Sequence, residues 1–110
     1  MKHYSPPSLR VLWVDDRPED NAAFAADLER RGIQVSVARS TSLALVLLAR
    51  NKYLAVISDM GRMEGPREGL HLLDSMRARG NETPWRAFWR DGGNWGGKIR
   101  SWVNRCRFRS

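Results

Sequence analysis

The chain of 110 residues contains a single cysteine, Cys106, so no disulfide can form within it. No histidine neighbours that cysteine in sequence, and it reads as an incidental thiol rather than a nucleophile. Long apolar runs are missing: the longest, residues 43–49, is seven residues, well short of the ~20 that cross a bilayer. The opening Met1-Lys2-His3-Tyr4-Ser5-Pro6-Pro7-Ser8 lacks the apolar centre of a secretory signal and reads as a short extended lead-in. These absences point to a reducing, cytoplasmic location and argue against a membrane partner. No internal repeat is present, and a chain of this length supports one core, which excludes a large multidomain enzyme. With 42% hydrophobic and 28% charged residues it is neither disordered nor fibrous.

Acidic residues run short in one region. Residues 1–84 hold twelve basic and eleven acidic side chains, whereas residues 85–110 hold seven basic ones and only Asp91. The formal net charge of +7 therefore resides almost wholly in the last 26 residues, with four of the five tryptophans: Trp85, Trp89, Trp95 and Trp102. A basic chain taken as a whole invites nucleic acid; its near-neutral main part argues against that. The composition changes near Pro84, dividing residues 9–84 from a basic, Trp/Gly/Arg-rich segment, residues 85–110.

Within the first part, residues 9–14 are a β-branched apolar run that stops at Asp15-Asp16, which reads as a buried strand followed by a loop. Pro18 stands where a helix would start, Glu19 and Asp20 suit its first turn, Phe24 and Leu28 share a face, and Gly32 ends it. Residues 33–37 alternate as a second strand; Ser40 or Thr41 can cap a helix reaching about Asn51. Residues 53–57 form a third strand before Asp59, and Leu70, Leu73 and Met76 mark a helix closed by Gly80. Alternating strands and helices predict a mainly parallel sheet covered on both faces.

Asp15, Asp16 and Asp59 all follow the carboxyl ends of strands, the edge at which open α/β sheets build their sites. If the first strand lies between the second and third, the three carboxylates converge. Their mutual repulsion then calls for a cation, and a hard divalent ion with oxygen ligands, Mg²⁺, is the natural one. A blander reading stays open: Asp16 with Glu19 also fits a helix-capping pattern, and Asp59 could begin a turn toward Gly61.

Val14-Asp15-Asp16, the strand ending in Asp59-Met60, and Gly65-Pro66-Arg67-Glu68-Gly69-Leu70 ahead of an amphipathic helix together resemble the receiver domain (CheY-like) of two-component response regulators, over residues 9–84. The resemblance implies a flavodoxin-like three-layer αβα sandwich with parallel sheet order 2-1-3-4, incomplete at the C-terminus. It implies a signalling module rather than an enzyme: a stand-alone receiver taking a phosphoryl group on Asp59 from a histidine kinase or phosphotransfer protein. Mg²⁺ would sit among Asp16, Asp59 and the Gly61 carbonyl, with Asp15 holding the ion or one of its waters. No DNA-binding output domain is expected to follow.

The resemblance breaks after Pro84. Receivers continue with a strand ending in Ser or Thr and a later strand ending in Lys. Here residues 85–90 make a poor strand, with Arg86 and Arg90 on the face of Phe88; Asp91-Gly92-Gly93 follows, and Lys98 is the only lysine after residue 52. Efficient transfer is thereby put in doubt, and a receiver-like module that binds a partner without phosphorylation is the alternative. Three other readings concern the tail. Residues 92–98 match part of a phosphate-binding loop but place Ile99 where Ser or Thr is required. Lys98, Arg100, Arg105, Arg107 and Arg109 with Trp102 and Phe108 could grip single-stranded nucleic acid. The segment could also be a diverged or frame-shifted terminus. His71 reads as a helix-surface residue, and residues 43–49, apolar on every side, as core whose exposed remainder would mark a partner surface.

Overall fold

The computed structural model of the chain describes residues 9–61, 67–88 and 95–107. Strands β1 (Arg10–Val14), β2 (Gln34–Ala38), β3 (Ala55–Asp59) and β4 (Trp85–Phe88) form one parallel sheet in the order β2-β1-β3-β4. A short 3₁₀ segment, Pro18–Asn21, leads into α1 (Ala22–Arg30); α2 (Thr41–Arg50), α3 (Glu68–Ala78) and α4 (Trp95–Arg107) follow. The expected fold class and strand order are thus observed.

The period-two alternation of the central strands sorts the core into two halves. Val11, Trp13 and Ile57 face one side, where they are buried with Leu28 of α1, Phe88 of β4, and Ile99 and Val103 of α4. Leu12, Val14 and Val56 face the other, with Ala44 and Leu48 of α2 and Leu72 and Met76 of α3. Both faces of β1 and β3 are therefore dry, which is why these strands read as continuous apolar runs rather than alternating ones.

Several boundaries differ from the sequence pattern. The second strand begins at Gln34 because the Ile33 N–H is used to close α1, donating to Leu28 O (3.1 Å) after Gly32 turns the chain at φ +83°. The third strand runs two residues later than expected, ending on Asp59 itself. In α3 the buried positions are Gly69, Leu72 and Met76, with Leu70 and Leu73 only half-covered. The expected stripe of Leu70, Leu73 and Met76 is corrected at its first two positions, where Gly69 and Leu72 are buried instead, because the helix packs Gly69 against the end of β3; Met76 is buried as expected. Ser40 caps α2 as expected, its Oγ accepting from Leu43 N at 3.1 Å.

The segment after Pro84 supplies β4 and α4. Arg86, awkward in the sequence pattern, is exposed on the edge strand with its guanidinium 5.9 Å from the Trp102 ring centroid. Ile99, Val103 and Cys106 lie at helical spacing and are all buried, and α4 is tied to α1 by Arg100 Nη1 on Asp27 Oδ2 (3.0 Å). Of residues 92–98, those from Trp95 on form the first turn of α4; the rest, like the lead-in at 1–8, Trp89, Arg90 and the Phe108-Arg109 end of the tail, lie outside the described residues.

Candidate metal centre

The register of the sheet brings the acidic residues together. Val14 pairs with Ser58, so Asp15 and Asp59, one residue further along, are neighbours at the carboxyl edge. One oxygen each from Asp15, Asp16 and Asp59 lie within 4.8 Å of one another. Asp15 and Asp59 are buried and Asp16 is half-buried. Gly61, the expected carbonyl ligand, follows two residues after Asp59 and is half-buried.

Asp15 is anchored by three donors. Trp13 Nε1 and Asn21 Nδ2 donate to its Oδ2 at 3.1 and 3.0 Å, and the Arg17 N–H donates to its Oδ1 at 2.9 Å. Trp13 is itself wedged between Phe24 and Phe88, each with its ring centroid 5.2 Å away. The residue ahead of the 3₁₀ segment, Arg17, makes no side-chain cap, and Glu19 pairs with Arg39 at 3.0 Å. Arg39 also donates to the Asp16 carbonyl (3.3 Å), bracing the loop from the end of β2. Trp13, Asn21 and Arg39 were not singled out in the sequence. Trp13 carried a signal, since residues two apart on a strand share a side and an indole there can reach Asp15; Asn21 and Arg39 depend on loop geometry that has no periodicity.

The backbone at Asp59 is gripped from three sides. Ser58 Oγ donates to the Asp59 carbonyl (3.1 Å), and Met60 N donates across to Phe88 O (3.1 Å). Gly69 N donates to Met60 O at 2.9 Å, and a Cβ placed on Gly69 would stand 3.0 Å from Asp59 O and from Met60 Cα. Only glycine lets α3 come this close. Phe88 pairs with Asp59 in the register, so β4 brings no hydroxyl to its level. Lys52 precedes β3, at the opposite edge of the sheet, and Lys98 is exposed on α4. His71 is on the surface of α3, 3.2 Å from Glu68 Oε1.

The donor chemistry fits a hard cation. Two carboxylates at 4.8 Å repel by about 3 kcal/mol at an effective dielectric constant of ~20. An all-oxygen, anionic set of this kind suits Mg²⁺, which would keep some of its waters there.

Comparison with known proteins agrees with this layout. No protein-family model matches the chain. Over 82 residues it is 37% identical to the transcriptional activator protein PfeR of Pseudomonas aeruginosa, a match covering 74% of this chain and 26% of that protein. The chain thus spans about a quarter of the length of that relative. Among solved structures, the receiver domain of the Francisella response regulator 1452 superposes with a TM-score of 0.75 at 20% identity, covering 89% of this chain and 95% of that one. The beryllofluoride-activated NtrC4 receiver domain dimer does so with a TM-score of 0.67 at 18% identity, covering 86% and 77%. With this strand order and this acidic edge, the chain has the flavodoxin-like fold of the response-regulator receiver domains on which it superposes.

Proposed function

We propose that the protein accepts a phosphoryl group on Asp59 in a phosphorelay, with Mg²⁺ held by Asp16, Asp59 and the Gly61 carbonyl. The observation that carries this reading is the convergence of Asp15, Asp16 and Asp59 at the end of β1 and β3. An Asp59 oxygen attacks the phosphorus of a phosphohistidine; an O–P bond forms as the N–P bond breaks, and the imidazole leaves with a proton from solvent. Bound Mg²⁺ supplies the positive charge that lets an anionic nucleophile meet an anionic phosphoryl group. Asp15, fixed by Trp13, Asn21 and Arg17, orients the metal-facing side of the pocket, and the Gly69 contact holds the Asp59 backbone against recoil. Histidine kinases and phosphotransfer proteins are the donors this chemistry fits.

The test is incubation with Mg²⁺ and acetyl phosphate followed by intact-mass measurement. Wild type is expected to gain one phosphoryl group, and Asp59→Asn or wild type with chelator none. A second reading, a receiver-type module that binds its partner without phosphorylation, is favoured by Phe88 standing opposite Asp59 and by the absence of a described lysine at the carboxyl edge. A wild type that binds Mg²⁺ and stays unmodified would select it.

A further inference from the structure

Helix α2 carries more apolar surface than the sheet can cover. Ala44 and Leu48 are buried, yet Leu43 and Val46 are 43% and 45% exposed. The outer side of α2 meets the end of α3 in a groove made of three adjoining depressions of about 310, 370 and 420 Å³, all of which share the small Ala49 in their walls. Leu45 and Val46 supply apolar surface to it, over the buried Met76, and Arg50, Lys52 and Arg79 supply positive charge.

The charge around this groove is one-sided. No Asp or Glu lines any of the three depressions, and Glu82, between the lining residues Asn81 and Thr83, is itself outside the wall. Five other cations, Arg17, Arg30, Arg31, Arg39 and Arg100, each lie against a carboxylate. Arg50, Lys52 and Arg79 make no ion pair among the described residues. Unpaired cations around an exposed apolar strip are complementary to a surface that is apolar and acidic at once.

We propose that the α2–α3 groove docks an acidic amphipathic helix of a partner protein. Apolar side chains at i, i+3/i+4 and i+7 of that helix lie over Leu45, Val46 and Ala49, and its carboxylates meet Arg50, Lys52 and Arg79. A second copy fits less well, because twofold apposition of this face would bring the same three cations together. The concave shape suits a ridge of side chains better than the flat surface of a membrane. Because α2 and α3 run back from the carboxyl edge of the sheet, this end of them is remote from Asp15 and Asp59, so a phosphoryl donor and the docked helix can be held together.

The test uses the full chain and fluorescence polarisation of a labelled 18-residue synthetic helix with a leucine stripe and glutamate at the remaining positions. One-to-one binding is expected, at least tenfold weaker for the same composition with the stripe scrambled and for a lysine-for-glutamate version. Ala49→Trp, which fills the groove, and the pair Arg50→Glu with Arg79→Glu should each weaken binding at least tenfold, while Arg105→Glu on α4 should not. All these positions are exposed, and thermal melts confirm folding; should Ala49→Trp fail to fold, the charge-reversal pair decides. No binding, equal binding of the scrambled helix, or unchanged binding by the groove variants would overturn the proposal. So would a dimer, or association with phosphatidylglycerol vesicles, that the groove variants abolish while the synthetic helix does not bind.

Discussion

Two tryptophans show how the same donor group can serve opposite ends. Trp13 Nε1 donates to the buried carboxylate of Asp15, whereas Trp85 Nε1 is buried with no acceptor among the described residues. Trp13→Phe removes one of three donors from a buried charged group and is expected to cost about 1–3 kcal/mol in urea unfolding, and to weaken Mg²⁺ binding. Trp85→Phe gives up some contact area but also an unsatisfied donor, and should fall within about 1 kcal/mol of wild type. The reverse ranking would mean that the indole of Trp13 is mere filler. At this scale the sequence exposed the three aspartates plainly, because each interrupts or follows an apolar run. It could not expose Asn21 or Arg39, whose reach to the site depends on how the 3₁₀ segment and the end of β2 are placed in space.

At the scale of elements, helix contacts set what the strands can present. Gly69 allows α3 to press on the Asp59–Met60 backbone, and Gly69→Ala should cost about 1–3 kcal/mol by overpacking and slow modification of Asp59. The α1–α4 tie gives a pH signature. Arg100, hydrogen-bonded to Asp27, holds that carboxyl below its usual 3.8, with Arg31 and Arg30 adding to the pull and burial opposing it. A carboxyl lowered in the folded state contributes stability that is present above the unfolded value and lost as pH falls through the folded one. Asp27→Asn should therefore flatten the acid limb of a stability–pH profile from about 4 downward, leaving its slope near neutrality unchanged. The element pattern was legible because strands and helices alternate with clear periods; α4 was not recognised, although Ile99, Val103 and Cys106 carry its i, i+4, i+7 spacing. The glycines and cations around that spacing drew attention to loops and nucleic acid instead.

For the whole molecule, the basic terminus is part of the core. α4 covers the face on which Val11, Trp13, Ile57 and Phe88 are buried, and Ile99→Ala should cost about 2–4 kcal/mol, a large share of the ~5–15 kcal/mol that holds a domain of this size. Deleting residues 95–110 should abolish cooperative unfolding. The acidic edge works against stability until it is neutralised. Without divalent ions Asp59→Asn should be more stable than wild type, and Mg²⁺ at about 100 times its Kd should add roughly 2.7 kcal/mol to wild type alone. The acidic edge was readable from strand endings and the sheet order from the receiver resemblance; how the domain closes without the rest of the receiver pattern required the packing of α4.

The proposed acceptor of the phosphoryl group is a carboxylate oxygen of Asp59. Treating the acetyl phosphate product with borohydride converts an aspartyl phosphate to homoserine, and peptide mass mapping then locates it. Conversion at residue 59, dependent on Mg²⁺ and abolished by chelator, is the expected result. Conversion at another aspartate, or none in a protein that still binds Mg²⁺, would contradict it.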